Sequence, residues 1–281
     1  MKRFLLVFIL SICSCVLFSS DYEHCIFEKG TNILIKRKGD KVVKLATWNI
    51  GHFSNGSKKD SKISSKSHDV KLDRYRELVY DSLEADVLCL QEYSQGFGVN
   101  STGMMSATSS VLFDGFKIKY AGIQRGFSCN AIFSNVKMKH VRMNEFKCNS
   151  LYTDISPSAK TTYYTSADLY IGGENVKIVC LHLAFSKIKG YPEVQQNQIK
   201  ELISRYEKYE RVIMCGDWNT TNYILLKEAG YILANNGTLK TYSSTKKALD
   251  NIAVKGLKIR NIRMIVTDLS DHYPLICEIV I

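Results

Sequence analysis

A chain of 281 residues that is 45% hydrophobic and 23% charged, with only three prolines, has the length and composition of one large buried core. It is neither a low-complexity tail nor a linker-rich array, and no repeat runs through it. Its formal charge of +11 favours anionic partners such as nucleic acid, polyphosphate or an acidic membrane surface without choosing among them, and much of the excess, over 36–44 and 58–71, reads equally as solvated loop.

Lys2 and Arg3 precede an apolar run over 4–10 that continues weakly to Phe18, the n-region and h-region of a secretory signal. Residues 1–20 are therefore set apart as a leader, 21–41 as an N-terminal extension and 42–281 as the folded domain. The run is broken by Ser11, Cys13, Ser14 and Cys15, which favours a cleaved leader over a permanent span, and no later stretch is apolar enough to cross a bilayer. A secreted or extracytoplasmic location follows. Ile12-Cys13-Ser14-Cys15 loosely resembles a bacterial lipoprotein box, so Cys15 is a candidate for lipid attachment at the cell surface; the alternative is that Cys13 and Cys15 are only small apolar leader residues. Among the nine cysteines, Cys89, Cys180, Cys215 and Cys277 lie in apolar strand-like runs and read as buried free thiols. Cys129 and Cys148 are candidates to pair in an oxidising compartment, although their spacing matches no zinc pattern.

In chain order, 41–50 is a strand that ends in Trp48 and Asn49, followed by a polar surface loop to residue 69. Over 72–83, Leu72, Tyr75, Leu78, Val79 and Leu83 recur at helical spacing, which predicts a helix covering one face of a sheet. Residues 86–90 form a buried strand with Gln91-Glu92 at its end. The Gly-, Ser- and Met-rich stretch 96–110 reads as a loop bordering a substrate groove. Ala131-Ile132-Phe133-Ser134 is a strand preceded by Gln124, Arg125 and Asn130, and 161–169 alternates as a half-exposed strand. A further apolar strand over 175–183 carries His182 near its end, and 192–206 is helical by period. Val212 to Cys215 are apolar and too few for a helix; Gly216 then turns the chain so that Asp217 and Asn219 emerge at the strand's C-terminal end. An Asp and an Asn so placed can share a phosphate or an attacking water, and taken alone they fit an Asx-type turn equally well. After a short helix over 223–228 come a strand over 248–254 carrying Asp250, an extended stretch over 258–266, the segment Ser270-Asp271-His272-Tyr273-Pro274, and a last strand over 275–281. Pro274 fits only the start of such a strand.

Six strand ends thus carry polar groups: Asn49, Glu92, His182, Asp217 with Asn219, Asp250, and Asp271 with His272. One such group is usually a cap or turn residue; six on buried strands crowd ionisable side chains onto one rim, which a shared polar task explains. The segments Thr47-Trp48-Asn49-Ile50, Leu90-Gln91-Glu92, Leu181-His182-Leu183, Gly216-Asp217-Trp218-Asn219, Leu249-Asp250-Asn251-Ile252 and Ser270-Asp271-His272-Tyr273-Pro274 resemble, in order, the motifs of the endonuclease/exonuclease/phosphatase superfamily, the group of deoxyribonuclease I, exonuclease III and the neutral sphingomyelinases. The resemblance covers roughly residues 42 to 281.

That resemblance implies an α/β fold, a four-layer α-β-β-α sandwich of two packed, mostly antiparallel sheets with outer helices, and metal-dependent hydrolysis of a phosphoester. Glu92 is a hard oxygen ligand suited to Mg²⁺, or to Mn²⁺ in its place, with Asn49 and Asp271 placed to assist. His272 beside Asp250 makes a base-plus-orienter pair, Asp217 and Asn219 would position the nucleophile and a phosphate oxygen, and His182 would bond the phosphate or the leaving oxygen. Arg125 and Asn130 are the weaker candidates for substrate contact. Gly51 stands where some abasic-site nucleases carry an acidic residue, which favours a single ion, and Asn251 replaces the Arg of inositol-polyphosphate 5-phosphatases. The expected protein is a monomeric, secreted or surface-anchored phosphodiesterase with nucleic acid as the favoured substrate. A phospholipid substrate of the sphingomyelinase kind is the alternative, and a catalytically inactive binding module is the reading from another class.

Overall fold

The computed structural model describes residues 24–29, 41–53, 73–93, 112–123, 129–148, 163–185 and 191–281. The leader with Cys15, the loops over 54–69 and 96–110, and Arg125 lie outside them.

Among the described residues, two sheets make up the centre. The first has seven strands in the order β1-β4-β5-β3-β2-β13-β12: β1 (His24–Lys29), β2 (Val42–Asn49), β3 (Val87–Tyr93), β4 (Ile118–Ile123), β5 (Cys129–Ser134), β12 (Lys258–Met264) and β13 (Leu275–Val280). The second has six in the order β10-β11-β9-β8-β7-β6: β6 (Met138–Glu145), β7 (Tyr163–Ile171), β8 (Glu174–His182), β9 (Val212–Asp217), β10 (Ile232–Leu233) and β11 (Asp250–Lys255). All neighbours are antiparallel except β2 with β3 and β8 with β9. A parallel pair needs a crossover, and each has a helical one. Helix α1, residues 73–83 with Leu78–Leu83 in π geometry, joins β2 to β3; helix α2 (Tyr191–Tyr206) joins β8 to β9. A third helix, α3 (Ile224–Glu228), follows β9.

Period-two alternation explains the continuous apolar runs of the central strands, which are buried on both faces. In β9, Ile213 and Cys215 enter the core between the sheets, whereas Val212 and Met214 face the core under α2. In β2, Leu45 enters the shared core and Ala46 and Trp48 the one that includes Tyr75, Leu78 and Val79 of α1. The layers are therefore α-β-β-α. Among the described residues no helix is long and apolar enough to cross a membrane.

Three strands extend this reading. β1 comes from the segment taken as an N-terminal extension and pairs with β4, and β6 borders the second sheet with a largely exposed, polar face. Cys89, Cys180, Cys215 and Cys277 are buried free thiols. Cys148 is also free, which corrects the expected pairing: its backbone N–H is bonded to Glu201 of α2 at 2.9 Å, and burial, with the Glu201 carboxylate, pushes its thiol pKa up to about 12.

Gly216 allows the two ends of the β8–β9 pair to lie together. It has φ +150°, and a Cβ there would stand 1.9 Å from the Leu181 carbonyl oxygen. That oxygen belongs to the neighbouring backbone and has no rotamer through which to retreat. Gly216→Ala is expected to destabilise the fold by roughly 3 kcal/mol, checked by denaturant unfolding against wild type.

Candidate active site

Both parallel pairs end on the same rim. Asn49 lies opposite Gln91 at the ends of β2 and β3, and His182 opposite Asp217 at the ends of β8 and β9. The antiparallel neighbours contribute their starts: Asp250 is in register with Asp217, and Leu275 with Thr47, which sets the preceding 270–274 segment beside Asn49.

Asn49 ties the sheets together. Its Nδ2 donates to Glu92 Oε1 at 3.2 Å and to Asp217 Oδ2 at 3.1 Å, while its Oδ1 accepts the Gly51 N–H at 3.1 Å. Glu92 follows a register shift in β3 and has a left-handed φ of 50°, a strained position that lets a strand-end residue leave the pleat. Its side chain is 30% exposed, against 2% for Asp217. His182 Nε2 lies 3.4 Å from Asp217 Oδ2 and 3.9 Å from Glu92 Oε1. Asp217 Oδ1 accepts the Asn219 N–H at 2.9 Å, and Asn219, at φ 51°, donates its own side-chain N–H to the Leu183 carbonyl at 3.0 Å.

The second cluster is a chain of carboxylate, imidazole and carboxylate. His272 Nδ1 is 2.8 Å from Asp250 Oδ2, and His272 Nε2 is 3.6 Å from Asp217 Oδ2. Burial alone would lower the His272 pKa, but the Asp250 and Asp217 carboxylates outweigh it and raise it to about 10. The same burial pushes the Asp250 carboxyl up, so the two groups titrate as a pair. The His272 backbone is bolted down: Trp48 Nε1 donates to the His272 carbonyl at 3.0 Å, Ser270 Oγ donates to the Asn49 carbonyl at 2.7 Å and accepts the His272 N–H at 3.1 Å.

Eight of the residues singled out by sequence therefore share one rim, although not on equal terms. Asp271 reaches Ser270 Oγ at 3.4 Å and lies beside Gly51, but no hydrogen bond or ion pair joins it to Glu92 among the described residues. Asn130 is elsewhere engaged: its Nδ2 donates to the Tyr163 carbonyl and its own carbonyl accepts Thr165 Oγ1 at 2.7 Å, so it ties β5 to β7. Two participants carry no motif that would have found them. Tyr242 lays its ring 4.7 Å from that of His272, and Thr241 Oγ1 accepts the Asp250 N–H at 3.0 Å.

The donor set fits a divalent cation. Among the described residues, Glu92, Asp217, Asp250 and Asp271 bring four carboxylates to a rim whose basic contacts are His182 and His272, an excess of negative charge that a cation would balance. Oxygen atoms of Asp217 and Asp250 and a His272 nitrogen lie within 4.8 Å of one another, a compact group that could also hold an ion. A hydrated cation needs room for its waters, however, and this group is buried with Asp250 and His272 already bonded to each other, whereas Glu92 on the same rim is partly exposed.

Because the His272 pKa is raised above its unfolded value of roughly 6.5, the pair stabilises the metal-free fold fully below that pH, and the contribution is lost as pH rises through about 10. Asp250→Asn is expected to lower the His272 pKa, since burial is then opposed by fewer carboxylates, and to flatten this pH dependence. NMR titration of the imidazole and thermal melts across the pH range check both.

No protein-family model matches the sequence, and no curated protein matches it. Solved structures do. An endonuclease/exonuclease/phosphatase from Beutenbergia cavernae superposes with a TM-score of 0.62 at 13% identity, over 86% of this chain and 72% of that one. TDP2 from D. rerio, complexed with single strand DNA product, gives 0.62 at 14% identity over 86% of this chain and 100% of its own. An endonuclease/exonuclease/phosphatase family protein from Leptotrichia buccalis gives 0.59 at 16% identity, over 85% and 100%.

Proposed function

From a chain that has the endonuclease/exonuclease/phosphatase, or deoxyribonuclease I-like, fold, we propose a phosphodiesterase that hydrolyses nucleic acid with a divalent cation, Mg²⁺ or Mn²⁺, at Glu92, Asn49 and Asp271. The observation that carries the reading is the convergence of Asn49, Glu92, His182, Asp217, Asp250 and His272, contributed by both sheets, on one rim.

When bound, the cation would supply Lewis-acid polarisation of a phosphoryl oxygen. The chain's own residues do the remainder. Asp250 fixes the His272 ring through Nδ1, leaving Nε2 facing Asp217, and in its neutral form this imidazole would take up the proton of the attacking water. The two flanking carboxylates stabilise the imidazolium that results. His182, partly exposed beside Asp217 and Glu92, is placed to donate to a phosphate oxygen or to the leaving oxygen, and Asn219 braces Asp217 through its backbone N–H.

Nucleic acid is favoured over a small diester by the +11 charge of the chain and by the single strand DNA product held by the D. rerio TDP2 structure. Secretion and a lipid anchor at Cys15 rest on the leader, and N-terminal mass spectrometry of the exported protein would read both.

Purified protein is expected to cleave a single-stranded DNA oligonucleotide with Mg²⁺, to lose activity in excess EDTA and to regain it on adding metal back. His272→Ala and Asp217→Asn should each lower kcat by about 10²–10⁴-fold. Full activity in EDTA would refute the metal, and turnover of sphingomyelin without DNA would move the substrate to lipid.

A further inference from the structure

Helix α2 buries two amides on its sheet-facing side: Gln195 is 2% exposed and Gln198 is fully buried, among Val194, Ile199 and Leu202. Buried polar groups are expensive unless bonded, so such positions mark a task that an apolar residue could not perform. Gln195 Nε2 donates to the Ala184 carbonyl at 2.5 Å and to the Asn219 carbonyl at 2.8 Å, and Gln198 Oε1 accepts the Ala184 N–H at 3.1 Å. Ala184 lies just past the end of β8 and Asn219 just past the end of β9, where the backbone has left the ladder and its carbonyls need other partners.

We propose that Gln195 is a positioning residue for the rim, acting through Asn219 on Asp217. Asn219 is held at three points: its N–H by Asp217 Oδ1, its side chain by the Leu183 carbonyl, and its carbonyl by Gln195. These bonds keep a non-glycine residue at φ 51°. Releasing the carbonyl frees the turn to relax, and the relaxation moves the N–H that orients Asp217, the carboxylate shared by Asn49, His182 and His272. A helix on the outer face of the second sheet thereby sets the geometry of a group buried between both sheets.

The inference rests on the phosphodiesterase reading, and the experiment separates the two. With Mg²⁺ and a single-stranded DNA oligonucleotide, Gln195→Met, which keeps length and removes both donors, should lower kcat about tenfold with KM within about threefold of wild type. In an Asp217→Ala background the same change should move kcat by less than about twofold, because the carboxylate that the Asn219 N–H orients is gone. An equal fall in both backgrounds, or wild-type kcat in folded Gln195→Met protein, would overturn the assignment. In the unmutated protein the Gln195 side-chain amide protons should exchange slowly with solvent; exchange at the rate of a free glutamine side chain overturns it whether or not the variants fold. Absence of turnover by wild type would instead remove the phosphodiesterase reading and leave the exchange measurement as the test of the clamp.

Discussion

The bond from Asn49 Nδ2 to Asp217 Oδ2, 3.1 Å across the junction of the two sheets, is the contact on which the site depends. Asp217 is 2% exposed at its side chain, and an isolated carboxylate at that depth would neutralise itself or unfold its surroundings. It is given polar company: the Asn49 amide from one sheet, the Asn219 N–H from its own turn, and two imidazoles at 3.4 and 3.6 Å. Because those partners come from β2, β8, the turn after β9 and the segment before β13, the carboxylate finds them all only when both sheets are correctly packed. Fold and site are in this sense one constraint.

The architecture meets that constraint by using the same device twice. Each sheet has one parallel pair with a helical crossover, so each sends two C-terminal strand ends to the rim. Each also anchors its rim with a buried tryptophan, one residue before Asn49 in β2 and one after Asp217 at the end of β9. Trp48 Nε1 donates to the His272 carbonyl at 3.0 Å and Trp218 Nε1 to the Asn251 carbonyl at 3.1 Å. Their rings fill the two outer cores while their N–H groups hold His272 itself and the residue next to Asp250. Packing under the helices is thereby transmitted to the imidazole.

Much of this was legible in the residues because burial on two faces writes a continuous apolar run, and a carboxylate or amide at the end of such a run stands out. Val212 to Asp217, Val87 to Glu92 and the strand that ends at His182 were readable for that reason. The edges were not. β6 reads Met-Lys-His-Val-Arg-Met-Asn-Glu, mostly exposed, with a register shift near His140, and nothing in its pattern distinguishes it from loop. Asn130 could not be placed from the sequence either: a polar residue before a strand looks like a substrate contact, and what the structure shows is its amide joining β5 to β7. Tyr242 and Gln195 owe their roles to partners 24 to 30 positions away, and within their own segments they are an ordinary loop tyrosine and an ordinary helical glutamine.

Charge supplies the remaining step. The chain as a whole carries +11, yet among the described residues its rim gathers four carboxylates, so the local sign there opposes the global one. A polyanion drawn in by the long-range field would be repelled at the last few ångströms unless positive charge stands between the acids and the phosphate. His272 supplies some while protonated, but then has no lone pair with which to accept a proton from water. The two demands are met together only if the charge facing the phosphate is carried by another group, which leaves the imidazole free to act as a base. An acidic rim within a basic protein, with its histidine held between carboxylates, is therefore a place where a cation fits, and the charge of such a cation would leave the imidazole free to act as a base.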